Sequence, residues 1–247
     1  MRKLMVGLIG AFLSGCVFAA ESGYHLDTAP INLENHASLQ RGAKLFVNYC
    51  MGCHSAAYQR YNRMARDIGL TDAQVEANLI LTFDTKVGDT MKNAMHPADA
   101  KRWFGASPPD LSVIARSRGT DYLYTYLRTF YLDDSRPWGV NNAVFPSVGM
   151  PHVLWKLQGW QKPIHETVED ASGEPKEVIT GFEIVEPGEL TPPEYDAAIG
   201  DLVNFLAYIS EPIQLERKRI GVWVLFYLII AFVVFYYLKK EYWKDVH

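Results

Sequence analysis

Cysteine is scarce in this chain. Three in 247 residues are too few for a disulfide framework. An excess of positive charge is missing as well. Lysine and arginine number 24 against 28 aspartates and glutamates, a formal net charge of −4, so the basic footprint of a nucleic-acid binder is absent. The sequence shows no internal repeat, no phosphate-cradling loop and no low-complexity segment. It also lacks a catalytic triad or paired carboxylates. The length suffices for one sizeable core and is short for two full domains. A mean hydropathy of −0.07 would suit a soluble protein, but that average mixes two apolar ends with a polar middle.

Residues 1–20, MRKLMVGLIGAFLSGCVFAA, start with Arg2 and Lys3, run apolar to Leu13 and finish on small residues. This is the layout of a secretory leader. Cleavage after Ala19 leaves Val17 and Ala19 at the flanks, whereas cleavage after Ala20 sets Phe18 three residues upstream. Residues 1–19 are therefore expected to be removed. Two other readings stand beside this one. Leu13-Ser14-Gly15-Cys16 has the pattern of a lipoprotein processing site with Cys16 acylated, and the segment would otherwise stay as a membrane helix.

Residues 220–238, IGVWVLFYLIIAFVVFYYL, carry no charge. At 1.5 Å per residue they span about 28 Å, close to the roughly 30 Å hydrocarbon thickness of a bilayer. Tyr236, Tyr237, Tyr242 and Trp243 supply interfacial aromatics. A transmembrane anchor is expected, because a buried core helix would need a large protein around it. Arg217, Lys218 and Arg219 precede it and Lys239, Lys240 and Lys244 follow, so charge alone does not orient it. The leader does. Residues 21–215 are expected outside the cytoplasm and residues 239–247 inside. The stretch 21–210 holds 24 acids and 16 bases, a charge of −8 that the whole-chain value conceals.

Cys50-Met51-Gly52-Cys53-His54 is the pentapeptide of covalent haem attachment. Two thiols one helical turn apart reach two vinyl groups, and the adjacent imidazole meets the iron. An exported location agrees, since haem is attached covalently outside the cytoplasm. The competing readings are a thioredoxin-like redox pair, a structural zinc site or chance. A redox pair has no need of His54, and zinc needs about four ligands where three are evident. The sixth iron ligand must come from far along the chain, and Met64, Met91, Met95, Met150, His96 and His152 are the candidates. Met150 lies in a proline-bracketed loop, with Pro151 holding its backbone out of the helical region.

Further motifs carry a resemblance. Leu39-Gln40-Arg41-Gly42 leads to the pentapeptide. Trp103-Phe104-Gly105, Pro108-Pro109-Asp110-Leu111-Ser112 and Ile114-Ala115-Arg116-Ser117-Arg118-Gly119 follow. Then come the Phe145-Pro146 to Met150-Pro151 loop, Asp201-Leu202-Val203-Asn204-Phe205-Leu206, Glu211-Pro212 and Arg217-Lys218-Arg219-Ile220-Gly221. Over nearly the whole mature chain this resembles the cytochrome c1 family in its compact proteobacterial type. These are the membrane-anchored c-type cytochromes of the quinol–cytochrome c reductase, the cytochrome bc1 complex. The pentapeptide is common to all cytochromes c; the Pro-Pro-Asp-Leu-Ser segment with this loop and tail is specific. The resemblance implies a mostly α c-type cytochrome fold with a small β-hairpin insertion and a single C-terminal transmembrane helix. It implies one covalently attached haem c, with His54 and Met150 as axial ligands, Arg118 toward a propionate and Pro109 against the ring. Implied partners are cytochrome b, the Rieske iron–sulfur protein, cytochrome c as acceptor and membrane lipid, in a dimeric complex. The chain departs from the family in a shorter stretch between His54 and Met150. Ser147 and Val148 also stand where many members have glycines.

The remaining segments read as follows. Residues 39–49 form a helix with Leu45, Phe46 and Tyr49 on its apolar side, and Gly42 permits a close helix crossing. Residues 58–68 read helical, with Arg60, Arg63 and Arg66 facing solvent or the propionate side, and Thr71 opens the next helix. Asp110 caps the helix after Pro108-Pro109. Residues 121–130 form an aromatic helix with Leu123, Tyr124, Leu127 and Phe130 on one face, and Tyr124 or Tyr126 near the haem edge. Residues 164–169 and 177–186 form a hairpin, and residues 191–208 a last helix that crosses the first. The expected work is one-electron transfer rather than catalysis by this chain alone. A tethered cytochrome c feeding a terminal oxidase, and a haem sensor or peroxidase-like protein, are the alternatives.

Overall fold

A computed structural model of the protein describes residues 24–169 and 175–245. The expected leader with Cys16, and the hairpin turn at residues 170–174, lie outside the described residues. Among the described residues there are nine α-helices and three two-stranded antiparallel sheets, the mostly α architecture expected.

Helix α1 (His36–Leu45) starts where the Asn35 side chain accepts from the Ser38 N–H. It does not run on as an α-helix to residue 49. From Phe46–Cys50 it widens into a π-helical turn, closed by Met51 N–H to the Phe46 carbonyl at 2.9 Å. Such turns recur at functional positions, and here Phe46, Val47 and Cys50 are all buried. Strand β1 (Ala56–Arg60) follows, then α2 (Tyr61–Ile68), α3 (Asp72–Asn78), β2 (Thr90–Met91) and α4 (Pro97–Phe104). The helix expected at residues 58–68 thus begins only at Tyr61. Asp110 Oδ2 accepts from Ala57 N–H at 2.9 Å and Ser112 Oγ from Tyr58 N–H at 3.0 Å, which holds this stretch extended. Arg60, Arg63 and Arg66 are exposed as expected, and Thr71 with Gln74 closes a capping box on α3.

Helix α5 (Ile114–Arg118) has no side-chain cap, so Asp110 is not its N-cap; its Oδ1 turns onto Ser112 N–H two residues on. Helix α6 (Thr120–Arg128) buries Leu123, Tyr124 and Leu127. Phe130 is buried too, but as the first residue of β3 (Phe130–Leu132), which pairs with β4 (Val140–Asn142). After α7 (Trp155–Gln158), the hairpin strands β5 (Gly159–Glu169) and β6 (Pro175–Pro187) extend further at their base than expected. Helix α8 (Pro192–Ser210) opens on the Thr191 and Glu194 capping box with prolines in its first turn. Helix α9 (Gln214–Tyr242) is long and apolar enough to cross a membrane.

The core forms where α8 crosses α1. Leu202, Val203, Phe205 and Leu206 meet Leu39, Ala43 and Phe46, with the Phe46 and Phe205 rings 5.6 Å apart. A Cβ on Gly42 would collide with the Asp201 carbonyl and stand 2.7 Å from the Phe205 Cβ, so the glycine sets the crossing distance. Arg41 seals the rim on Asp201 at 2.5 Å and 2.9 Å. The N-terminal segment is tied down by Arg128, whose guanidinium reaches Asp27 at 2.6 Å and Asp196 at 2.5 Å and 3.0 Å. It lies 4.4 Å from the centre of the Tyr124 ring.

Gly42→Ala is expected to cost about 1–3 kcal/mol, because the obstructing atom is backbone and cannot rotate away. Its thermal midpoint should then fall by roughly 2–12 °C in circular dichroism. A second expectation concerns acid stability. Thr191, through its hydroxyl and then its N–H, holds the Glu194 carboxyl below the usual carboxylate range. A depressed carboxylate stabilises the fold above its unfolded pKa, and that contribution disappears as pH falls through the folded value. Glu194→Gln should therefore flatten the acid limb of the thermal midpoint against pH below about pH 4 to 5, while leaving the neutral side nearly level.

Candidate haem site

The π-turn that ends α1 delivers Cys50 to an apolar cavity of about 460 Å³ between α1, α5, α6, α8 and the loop before α7. All six residues singled out from the sequence, Cys50, Cys53, His54, Pro109, Arg118 and Met150, line it. Cys50 is buried, and burial, then Cys53, pushes its thiol up to about 12. A redox-active thiol of the thioredoxin kind is held low instead. Among the described residues no group of three or more His, Cys, Asp and Glu side chains forms a metal site of another kind.

The attachment loop is stitched from two sides. His54 N–H donates to the Cys50 carbonyl at 2.8 Å, and Leu111 N–H to the Ser55 carbonyl at 2.8 Å. Asn93 donates from Nδ2 to the Cys53 carbonyl at 2.5 Å and from N–H to Ser55 Oγ at 3.0 Å. The His54 Nδ1 lies 2.7 Å from the Pro109 carbonyl, which leaves Nε2 with no protein partner among the described residues. Burial lowers the His54 pKa, opposed by the Pro109 carbonyl and Asp110, so the ring is neutral, the form that ligates a metal.

Of the six sixth-ligand candidates, Met150 alone lines this cavity. Met64 and Met91 are fully buried in the main core, and Met95 lines a smaller cavity behind Cys53 and Pro108. His96 caps α4 through Nδ1, and His152 is buried with its ring stacked on Phe130 at 5.0 Å. The Met150 loop is held by two asparagines of β4. Asn142 Oδ1 accepts from Val144 and Phe145 N–H, and Asn141 Oδ1 from Ser147 N–H at 2.8 Å. Ser147 sits at φ 63°, in the left-handed region, and its carbonyl accepts from Arg136 Nη2 at 3.0 Å.

Tyr126, and not Tyr124, lines the cavity, and its hydroxyl lies 3.5 Å from the Met150 sulfur. Arg118 is exposed at the cavity wall, 5.7 Å from the centre of the Tyr122 ring, with no ion pair among the described residues. Sequence reasoning missed Asn93, the second contact of Asp110 and the Leu202 and Leu206 wall. The last follows from the period of α8; the first two carried no local signal.

The residues fit a planar apolar macrocycle held by two thiols, an imidazole and a thioether, at whose edge a cation waits for an acid group. The fold and this cavity together define a c-type cytochrome fold followed by one membrane-length helix. A family model described as the Cytochrome C1 family matches residues 28–246, and the chain belongs to that family. It is 51% identical to cytochrome c1 of Allochromatium vinosum over 247 residues, covering 100% of both chains. It is 46% identical over 249 residues, again 100% of both, to a protein of Nitrosomonas europaea named ammonia monooxygenase gamma subunit. With a mitochondrial cytochrome c1 heme protein of Arabidopsis thaliana it shares 28% over 280 residues, 99% of this chain and 81% of that one. Membership makes the chain a haem protein of electron transport.

Ser147 pays a left-handed backbone cost of about 1–2 kcal/mol, which a glycine escapes while losing about 0.5–1 kcal/mol of chain entropy. Ser147→Gly is thus expected to stabilise the protein slightly, by up to about 1 kcal/mol in denaturant unfolding. A fall in stability would show that the serine makes a contact worth more than its strain.

Proposed function

We propose that the domain carries single electrons from the Rieske iron–sulfur protein to cytochrome c, within a dimeric quinol–cytochrome c reductase that also contains cytochrome b. In this reading Cys50 and Cys53 would hold one haem c as thioethers, and His54 and Met150 would supply the two side-chain ligands of its iron. When bound, the haem supplies a one-electron Fe(III)/Fe(II) couple without an open coordination position. The rest is done by the chain. The Pro109 carbonyl accepts from His54 Nδ1, fixing the tautomer and the orientation of the ring. Pro109 itself lies on the cavity wall. The Tyr126 hydroxyl faces the Met150 sulfur and steadies it. Leu111, Leu123, Leu127, Leu202 and Leu206 exclude water, and Arg118 offers a guanidinium to a propionate at the mouth.

Helix α9 anchors the chain in the bacterial inner membrane in a single pass, with the domain in the periplasm and residues 239–247 in the cytoplasm. Charge supports a cationic electron acceptor. Residues 159–187 hold seven acids and two bases, −5 of the −8 carried by residues 21–210. Glu166, Glu169, Glu177, Glu183 and Glu186 are all exposed on this hairpin, where they can steer such a partner. Quinol oxidation belongs to cytochrome b, so the chain alone is not expected to catalyse it.

The observation that carries this reading is the meeting of His54 and Met150, distant in sequence, on one apolar cavity with both thiols. Met150→Leu is expected to abolish the long-wavelength thioether-to-iron charge-transfer band of the ferric protein and to lower its midpoint potential. Absence of that band from the unaltered protein would sink the axial assignment. Purification from detergent-solubilised membranes should bring down cytochrome b and an iron–sulfur protein. A chain that purifies without them contradicts the reductase reading and favours a tethered carrier.

A further inference from the structure

Helix α8 ends at Glu211, and α9 begins three residues later. Glu211 (φ −157°, ψ 78°), Pro212 and Ile213 (φ −95°, ψ 10°) form the whole joint. Packing gives α9 no support, since none of its residues is buried, and Ile213 and Leu215 at its root are exposed. A joint this short and bare leaves a domain free to swing.

One carboxylate bridges it. Glu211, its side chain 12% exposed, accepts from Arg217 through both Nε and Nη2 and forms an ion pair with Arg116, whose Nη1 lies 3.0 Å from Oε2. Gln214 Nε2 stands 3.4 Å away. Arg116 belongs to α5, Arg217 to the first turn of α9, and Glu211 to the end of α8. The guanidinium of Arg217, with Gln214 and Arg116, holds the Glu211 carboxyl below the usual range. An exposed ion pair is weak, but one carboxylate shared by two guanidinium groups, one of them two-pronged, is a stronger arrangement. Two of the elements so joined also wall the cavity. Ile114 and Arg118 come from α5, and Leu202 and Leu206 from α8.

We infer that Glu211 is a positioning residue that fixes the tilt of the haem domain on its anchor by clasping α5, α8 and α9 together. The cavity then meets membrane-bound partners at a constant angle. This rests on the reading of the cavity as the haem site and of α9 as the membrane span. The test uses the full-length, haem-loaded chain reconstituted in oriented bilayer stacks, and follows the angular dependence of the ferric haem signal in electron paramagnetic resonance. The unaltered chain should give a sharply oriented signal. Glu211→Gln and Arg217→Gln should each widen its angular spread about twofold or more, with haem content and charge-transfer band unchanged. Lys218→Gln, in the same turn but outside the clasp, should leave the spread as it was. Arg217 is largely exposed, so its variant decides the matter should Glu211→Gln fold poorly. An isotropic signal from the unaltered chain, or an unchanged spread in Arg217→Gln, overturns the clasp and leaves the haem and the anchor standing. A chain that holds no haem or does not partition into bilayers overturns the underlying reading instead.

Discussion

The crossing of α1 and α8 at Gly42 is the contact on which the other parts of the site depend. Because no side chain intervenes, the Asp201 backbone lies against α1 and the Phe46 and Phe205 rings close over the gap. Both helices then act as rulers. Helix α1 runs on through its π-turn to place Cys50 at the cavity, and α8 lays Leu202 and Leu206 along the opposite wall before reaching Glu211. A shift at the crossing would move thiols, cavity wall and membrane joint together, since close-packed interiors transmit strain rather than absorb it.

Charge is arranged around this core instead of inside it. The cavity is lined by leucines, prolines and aromatics, and Arg118 stands at its edge. The acids gather on the β5–β6 hairpin, while the compact ion pairs tie elements to one another: Arg41 to Asp201, and Arg128 to Asp27 and Asp196. A dry interior with peripheral charge suits a carrier whose potential is tuned by burial and axial ligation. It also keeps the acidic hairpin apart from the cavity, so the proposed cofactor and partner surfaces would lie on different parts of the domain.

What the sequence made legible was local. The pentapeptide, the Thr71 and Thr191 capping boxes and the hairpin rest on contacts within a few residues or on simple periodicity, and Gly42 could be read as a crossing point although its partner Asp201 lies far along the chain. What it hid was tertiary. Residues 58–60 look helical by themselves and become a strand because Asp110 and Ser112 take the Ala57 and Tyr58 N–H groups from across the fold. The same Asp110 is too occupied there to cap α5. The π-turn arises from a competition between helix period and the need to bury Phe46, Val47 and Cys50 at once, which no propensity scale contains. Asn93 could not be found at all, since its role depends on the Cys53 carbonyl arriving beside it.

The two sides of the proposed axial pair are not held alike. On the histidine side the restraints are mostly backbone groups of rigid segments. The carbonyls of Cys50, Cys53 and Pro109 are all engaged, and Leu111 closes onto Ser55. On the methionine side the loop hangs from two asparagine side chains and an arginine, with one residue in a left-handed conformation and a thioether steadied by a single phenol. Side-chain hydrogen bonds are individually modest, about 1 kcal/mol each net, and backbone strain subtracts from their sum. In the proposed site the histidine side is therefore the frame against which the iron would be set. The methionine side is where the fold has latitude, and small changes in the Asn141 to Met150 loop adjust the sixth position without touching the attachment loop.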